Sequence, residues 1–548
     1  MAKLIVVCAR RQLGHQRVAQ MAQIGARLIP NNIHPRAPWI SSDGRLAIVV
    51  VNPPARKEAS GLSVCLGTMF GLTASERFRP CGDVPDGSFL LCRSDDSNLE
   101  FATDAVGSRT LWWVCTNDNF FASTSQRAIV SLLGSFRLRQ EAPAWMISAG
   151  CLGPHGAWDA RLQRLEPDSR LILNRQEWTI AVHRRTSCFL VQAASQTELI
   201  ESLHAALGTA CKGLGSLAAT WPLALSGGID SRALLVFLRK EGLQRCITWG
   251  SQASIGRDGT DASLASALAA HYGLRHDFYP LDLPIDAPDV LMERFLVAGE
   301  GRVDHLSGYL DGFDLWRRLF DEGVDGIIRG DEGFGWVTAT SEPQVRHRVG
   351  ARRLADSFSD EELEDMGFVR QTWPERLAHT SSETLATWRD RLYHEFRIPI
   401  ILAALNDLKS SYVEIANPLL HRSIIDIVRG MPDTLRTEKR LFRAMVLSMS
   451  PPLSIASCTA TPRVEPIIGQ GPFRDLIEDE IRSSNASQYL PTSFRTQLIR
   501  ELNRQRATKD ASPRKGSLWT KFGVDFNRLL LRAFCTTRMC RLLKLDAT

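Results

Sequence analysis

The sequence predicts an α/β fold in two parts: an antiparallel, layered β/α part, then a doubly wound parallel α/β part with a helical C-terminal stretch. Three observations carry this. Short β-like runs crowd residues 1 to about 190. From about 196 onward, long helical periodicity alternates with short buried strands. At 223–235 an apolar strand runs into a Gly-Gly turn and then a helix.

The first part contains the runs Leu46 to Val51, Ser88 to Leu91, Leu111 to Cys115 and Leu171 to Leu173. Turn formers separate them, such as Asn52-Pro53-Pro54 and Asp86-Gly87, as expected of antiparallel strands. In the second part the strands LALS at 223–226, CITWG at 246–250, HDFYPLDL at 276–283 and GIIRG at 326–330 alternate with helical segments. That alternation is the pattern of a parallel sheet. Beyond about 345 the chain reads as almost wholly helical and increasingly basic. It ends in FNRLLLRAFCTTRMCRLLKL, read as a docking helix with a solvated basic face. The expected division is 1–195 and 196–548.

Composition excludes several classes. With 548 residues, 44% hydrophobic and 23% charged, the chain is globular and long enough for two domains. A net charge of +6 is mild and demands no nucleic acid. No apolar run is long enough to span a bilayer, and the N-terminus reads as a strand with no cleavage site for a signal peptide. Twelve scattered cysteines without a Cys-x-x-Cys pair argue against zinc ribbons, iron–sulfur clusters and disulfide frameworks. The expected setting is the reducing cytoplasm.

The sharpest signal is LALSGGIDSRALL at 223–235. Gly227 and Gly228 let the backbone turn sharply after Leu225 and Ser226, so that loop and helix N–H groups face an anion. The hydroxyls of Ser226 and Ser231 add donors. Asp230 beside a phosphate calls for a hard cation between them. No Walker-type lysine is present. The loop resembles the Ser-Gly-Gly-x-Asp-Ser pyrophosphate loop of enzymes that split ATP between the α and β phosphates.

At this point the chain resembles the asparagine synthetase family, which includes β-lactam synthetases and the cyclases that close lasso peptides. Gly330-Asp331-Glu332-Gly333-Phe334-Gly335 is similar to its Asp-Glu-x-Phe-Gly segment. Glu414 to Leu420 is similar to its Glu-x-x-x-Pro-Phe-Leu segment, and Thr437 to Arg443 to its Lys-x-x-Leu-Arg helix. The resemblance implies ATP and Mg2+, with Asp230 and Asp331 as metal-binding carboxylates. It implies a catalytic Lys439 that neutralises charge on phosphorus and on the acyl intermediate. The nucleotide-binding set is then Leu225, Ser226, Gly227, Gly228, Asp230, Ser231 and Gly330. Arg443 and Glu438 are expected to form helix-face salt bridges.

Asp86 to Phe89, Ala102 to Leu111 and Phe121 to Ser123 are similar to the family's glutaminase domain. That domain works through a cysteine at position 2, where this chain has Ala2, and the nearest cysteine, Cys8, falls inside a strand. Thr103 stands where the family has an arginine. The resemblance therefore implies a degenerate glutaminase-like half and an amine supplied by the substrate itself. Ile328 occupies the place of the β-lactam synthetase tyrosine, and His394 and Glu395 are the candidate bases, either of which could be an ordinary helix-surface residue. A peptide's N-terminal amine, with a pKa near 8, is roughly a tenth neutral at pH 7 and depends less on a base. This favours a lasso-type macrolactam closure, with a precursor (core) peptide as substrate and a leader peptidase and leader-recognition protein as partners. A small-molecule synthetase, a tRNA-modifying ligase and an inactive peptide-holding scaffold are the rival readings.

Overall fold

The computed structural model describes residues 3–30, 32–34, 37–51, 59–60, 62–71, 74–282, 287–508 and 517–548. Ala2 and the Asn52-Pro53-Pro54 turn lie outside them. The chain is α/β, with two six-stranded sheets and one five-stranded sheet.

The two six-stranded sheets are antiparallel and are built from strands between Lys3 and Arg184. Their period-2 alternation sets the layering. Leu4, Val6 and Cys8 of Lys3–Ala9 join Leu66, Leu90, Phe101 and Leu171 of the other sheet in one core. The intervening Ile5 and Val7 face the opposite way, against Met21 and Ile24 of the helix His15–Arg27 and Ile129 of Gln126–Leu133.

The five-stranded sheet is parallel throughout. Its spatial order is Arg275–Pro280, Arg245–Gly250, Leu223–Ala224, Gly326–Ile328, Glu414–Ala416. Helices cover both faces: Ile327 packs with Phe295, Trp316 and Leu319, while Ile328 packs with Leu203, Leu234 and Val428. The chain builds outward from Leu223–Ala224 in one direction and then crosses to build in the other. The crevice between Leu223–Ala224 and Gly326–Ile328 is therefore the topological switch point of the sheet, where ligands of such folds bind.

The region beyond 345 carries helices, as expected, with one short exception: Glu414–Ala416 forms an edge strand of the parallel sheet. The final helix, Phe526–Asp546, does dock, but its basic face is not simply solvated. Arg528 pairs with Glu465, Arg532 with buried Asp304, and Arg538 and Arg541 with Glu480.

The antiparallel sheets and the parallel sheet are fastened together through Glu414. Arg109 donates to Glu414 Oε1 at 2.8 Å, and Gly67 N–H donates to Oε2 at 3.2 Å. Both side chains of this ion pair are buried.

Candidate active site

The Ser-Gly-Gly-Ile-Asp-Ser loop lies at the C-terminal end of Leu223–Ala224, and the helix Ile229–Leu238 starts within it. Ser226 N–H donates to Ser231 Oγ at 3.0 Å, and Gly228 N–H donates to Ser226 Oγ at 3.2 Å. The two hydroxyls thus hold the turn closed on itself. Gly330 comes from the neighbouring strand and approaches so closely that an added Cβ would stand 3.0 Å from Ser231 N. This contact brings Asp331 beside the loop.

Asp230 and Asp331 line one cavity of about 210 Å³, together with Leu225, Ser226, Ser231, Gly330, Thr248, Asp261, Arg329 and Thr459 to Thr461. Gly227 and Gly228 complete the turn beneath it, and Gly227 O accepts from Ala456 N–H at 3.0 Å. Asp331 accepts from Arg329 at 3.1 Å and from Asn406 at 2.8 Å. Burial pulls its pKa upward, but Arg329 and Asn406 outweigh that and hold it below the usual carboxylate range. Asp230 behaves oppositely. Burial and then the neighbouring Glu332 push it up to about 6, against the pull of Lys439.

Lys439 Nζ sits 2.9 Å from Asp230 and 2.9 Å from Glu332. Burial opposes its charge, yet Glu332 and Asp230 together raise its pKa, so it stays an ammonium ion. Its placement comes from an unusual backbone. Glu438 and Lys439 have φ of 58° and 56°, two consecutive left-handed residues before the helix Arg440–Met449. Glu438 N–H donates to Trp336 O at 3.0 Å, which anchors this kink to the segment after Gly335. Lys439 also lines a second cavity of about 520 Å³, with Ile229, Gly335, Trp336, Val337, Glu438, Arg440 and Arg443.

The expected helix-face salt bridges of Glu438 and Arg443 are absent among the described residues. Glu438 lies on the left-handed kink and accepts from Thr338 at 3.3 Å, while Arg443 has no carboxylate partner there. His394 and Glu395 are not surface residues but buried ones, on a π-helix, Tyr393–Leu402, that contains Pro399. His394 Nε2 meets Gly333 O at 2.8 Å, and Glu395 pairs with Arg184 at 3.1 Å. Neither lines either cavity. Ile328 is buried within its strand.

Sequence reasoning assigned no role to Glu332, Arg329, Asn406 or the 459–461 segment. Glu332 stands inside the Gly-Asp-Glu-Gly-Phe-Gly run, but its contact with Lys439 depends on a distant element. Tyr393 adds to it, donating to Glu332 Oε1 at 3.3 Å. On the antiparallel side, Thr103 donates to Glu166 O at 2.7 Å, a structural staple. Cys8 is buried, and that burial raises its thiol pKa.

No protein-family model and no curated protein matches this chain. Among solved structures it is similar to an allosteric regulatory enzyme of purine biosynthesis, with 11% identity and a TM-score of 0.22, over 50% of this chain and 64% of that one. It is also similar to glutamine phosphoribosylpyrophosphate amidotransferase from B. subtilis complexed with ADP and GMP, with 10% identity, a TM-score of 0.21, and 50% and 65% of the two chains covered. The match thus spans less than two-thirds of either protein. Likeness of this size adds no argument, and the fold above rests on its own sheets.

Among the described residues no group of three or more His, Cys, Asp or Glu side chains could cage a metal alone. Magnesium on a triphosphate needs no such cage, since phosphates and water fill most of its shell and one or two carboxylates suffice. Asp230, half-buried and crowded by Glu332, keeps its open side toward the cavity beyond its contact with Lys439. The donor set therefore fits Mg2+ in that role.

Proposed function

We propose that this protein activates a carboxylate with ATP and then closes an amide bond within the same molecule, as lasso-peptide macrolactam synthetases do. One observation carries the reading. Lys439 joins the two cavities, bonded to Asp230 of the smaller one while lining the larger. A fixed cation between a nucleotide cavity and an acyl cavity is what adenylation and acyl transfer both require.

On this reading the triphosphate lies over the loop of Ser226, Gly227, Gly228 and Ser231, and Asp230 and Asp331 would hold a magnesium ion that would offset the phosphate charge. The substrate carboxylate oxygen attacks the α-phosphorus and pyrophosphate leaves. The substrate's own amine then attacks the acyl carbon, AMP leaves with both electrons of the broken acyl–oxygen bond, and the amine's proton passes to the departing phosphate. Lys439 faces charge that builds on phosphorus in the first step and on the acyl oxygen in the second. Enclosing the amine near the adenylate supplies proximity and excludes water. His394 and Glu395 are engaged elsewhere, so the fraction of neutral N-terminal amine carries the attack.

The substrate class is a precursor peptide, with a leader peptidase and a leader-recognition protein as partners in the reducing cytoplasm. The test is ATP–pyrophosphate exchange, followed by mass spectrometry of an acid-bearing peptide incubated with ATP and magnesium. A product lighter by one water, with AMP and pyrophosphate in equal amounts, is the expected result. Preferential consumption of free aspartate with ammonia, or of a small β-amino acid, would replace this reading with a small-molecule synthetase. Peptide binding without exchange would leave a scaffold.

A further inference from the structure

We infer that the larger cavity takes a doubly anionic peptide segment, with Arg440 and Arg443 binding its second acidic group as specificity residues. This deepens the adenylation reading and rests on it for the role of the first carboxylate.

The cavity holds about 520 Å³, within the range of sites that enclose a ligand. Its wall is apolar on one side, from Ile229, Trp336 and Val337. Trp336 is fixed there: its indole N–H donates to Arg348 O at 3.1 Å, and the Arg397 guanidinium lies 5.2 Å from the ring centroid. Cations line the same cavity, with Lys439 Nζ 5.9 Å from the Trp336 ring centroid. Lys439 is already committed to Asp230 and Glu332. Arg440 and Arg443 are not.

Arginines in this protein are commonly tied to carboxylates: Arg422 to Asp168, Arg436 to Asp390, Arg346 to Asp356. Arg440 and Arg443 are exposed and have no carboxylate partner among the described residues. They begin the helix Arg440–Met449 three residues apart, so they share a face and repel each other unless an anion lies between or beside them. That face continues Lys439 outward, because the left-handed Glu438 and Lys439 turn the chain into the helix just there. Among the described residues the one acid on the lining is Glu438, which takes the Thr338 hydroxyl. A peptide carboxylate at Lys439 thus leaves two guanidiniums within the same cavity for a second acidic side chain or a C-terminal carboxylate. Guanidinium suits that role, since its planar fork matches a carboxylate bidentately.

The experiment measures binding to the full-length protein by calorimetry, without ATP. The probes are a short glycine–serine peptide with one aspartate and the same peptide with two. The two-aspartate peptide is expected to bind about five- to tenfold tighter at low salt. An Arg440→Ala, Arg443→Ala double variant with an unchanged melting temperature is expected to lose that preference. Equal affinities, no binding of either peptide, or a preference that survives in the double variant would overturn the inference. So would tighter binding of a single-stranded oligonucleotide that the double variant loses, because the arginines would then serve a phosphate backbone. If exchange fails but the preference holds, adenylation falls and the acidic site stands. If exchange proceeds without a preference, the reverse is concluded.

Discussion

Lys439 Nζ lies 2.9 Å from both carboxylate oxygens of Asp230. The lysine and the aspartate hold each other, and Glu332 completes the triangle. Lys439→Ala is expected to lower pyrophosphate exchange by roughly 10²–10³-fold, the size of one lost oxyanion stabiliser. Lys439→Arg should rescue little, since a planar fork cannot replace a compact ammonium between two carboxylates. Near-normal exchange in the alanine variant would make Lys439 a structural counterion only.

Asp230→Asn is expected to abolish magnesium-dependent exchange while the protein keeps its far-ultraviolet circular dichroism. A neutral amide offers a metal less than an anionic carboxylate does. Titrating magnesium against exchange checks this. A variant that saturates at wild-type magnesium would remove Asp230 from the metal.

Acid is expected to destabilise the fold through His394. Burial, followed by Arg429, lowers its pKa from 6.5 to about 3. The cause is visible in the geometry: Nε2 faces Gly333 O, while Nδ1 accepts from Arg429 at 3.3 Å and has no room for a proton. The unfolded chain takes up a proton near 6.5 and the folded chain only near 3, so stability present above that window falls as pH drops through it. The slope is about 1.4 kcal/mol per pH unit. Urea midpoints measured from about pH 7 down to about pH 5 should fall, and His394→Gln should flatten the slope by one proton's worth.

Gly335→Ala is expected to displace Lys439 without touching it. At φ +114° an added Cβ would meet Arg436 O at 2.2 Å. The segment would have to shift, and Trp336 O anchors Glu438. The cost is about 2–3 kcal/mol or more, with loss of exchange. Gly242→Ala is the control, because its φ is +90° but nothing lies within 4 Å. That variant should lose about 1 kcal/mol and keep exchange.

The parts of the fold that a short run of sequence encodes were readable. An apolar run ending in Ser226-Gly227-Gly228 before a helical pattern specifies strand, turn and helix locally. The apolar run Leu4 to Val7 reads as a strand, though its two different neighbours show only in the folded packing. What escaped was set by distant partners. Glu414–Ala416 is three residues long between helices, too short to show a period. The π-helix at Tyr393–Leu402 uses a wider turn that 3.6-residue periodicity does not reveal; Pro399, which lacks an N–H, was its one local sign. Glu332 gains its role only when Lys439 arrives from another element, and the expected helix-face pairing of Glu438 fails because that residue lies on a left-handed kink.

Arg109 belongs to the antiparallel half and Glu414 to the edge of the parallel sheet, and neither charge reaches water. Expressing residues 196–548 alone would take the Arg109 guanidinium and the Gly67 N–H away from Glu414 and open its carboxylate, with the rest of the face that the first half covers, to water. The first half thus serves as part of the solvent-excluding wall of the parallel sheet, a role that needs no glutamine chemistry from it.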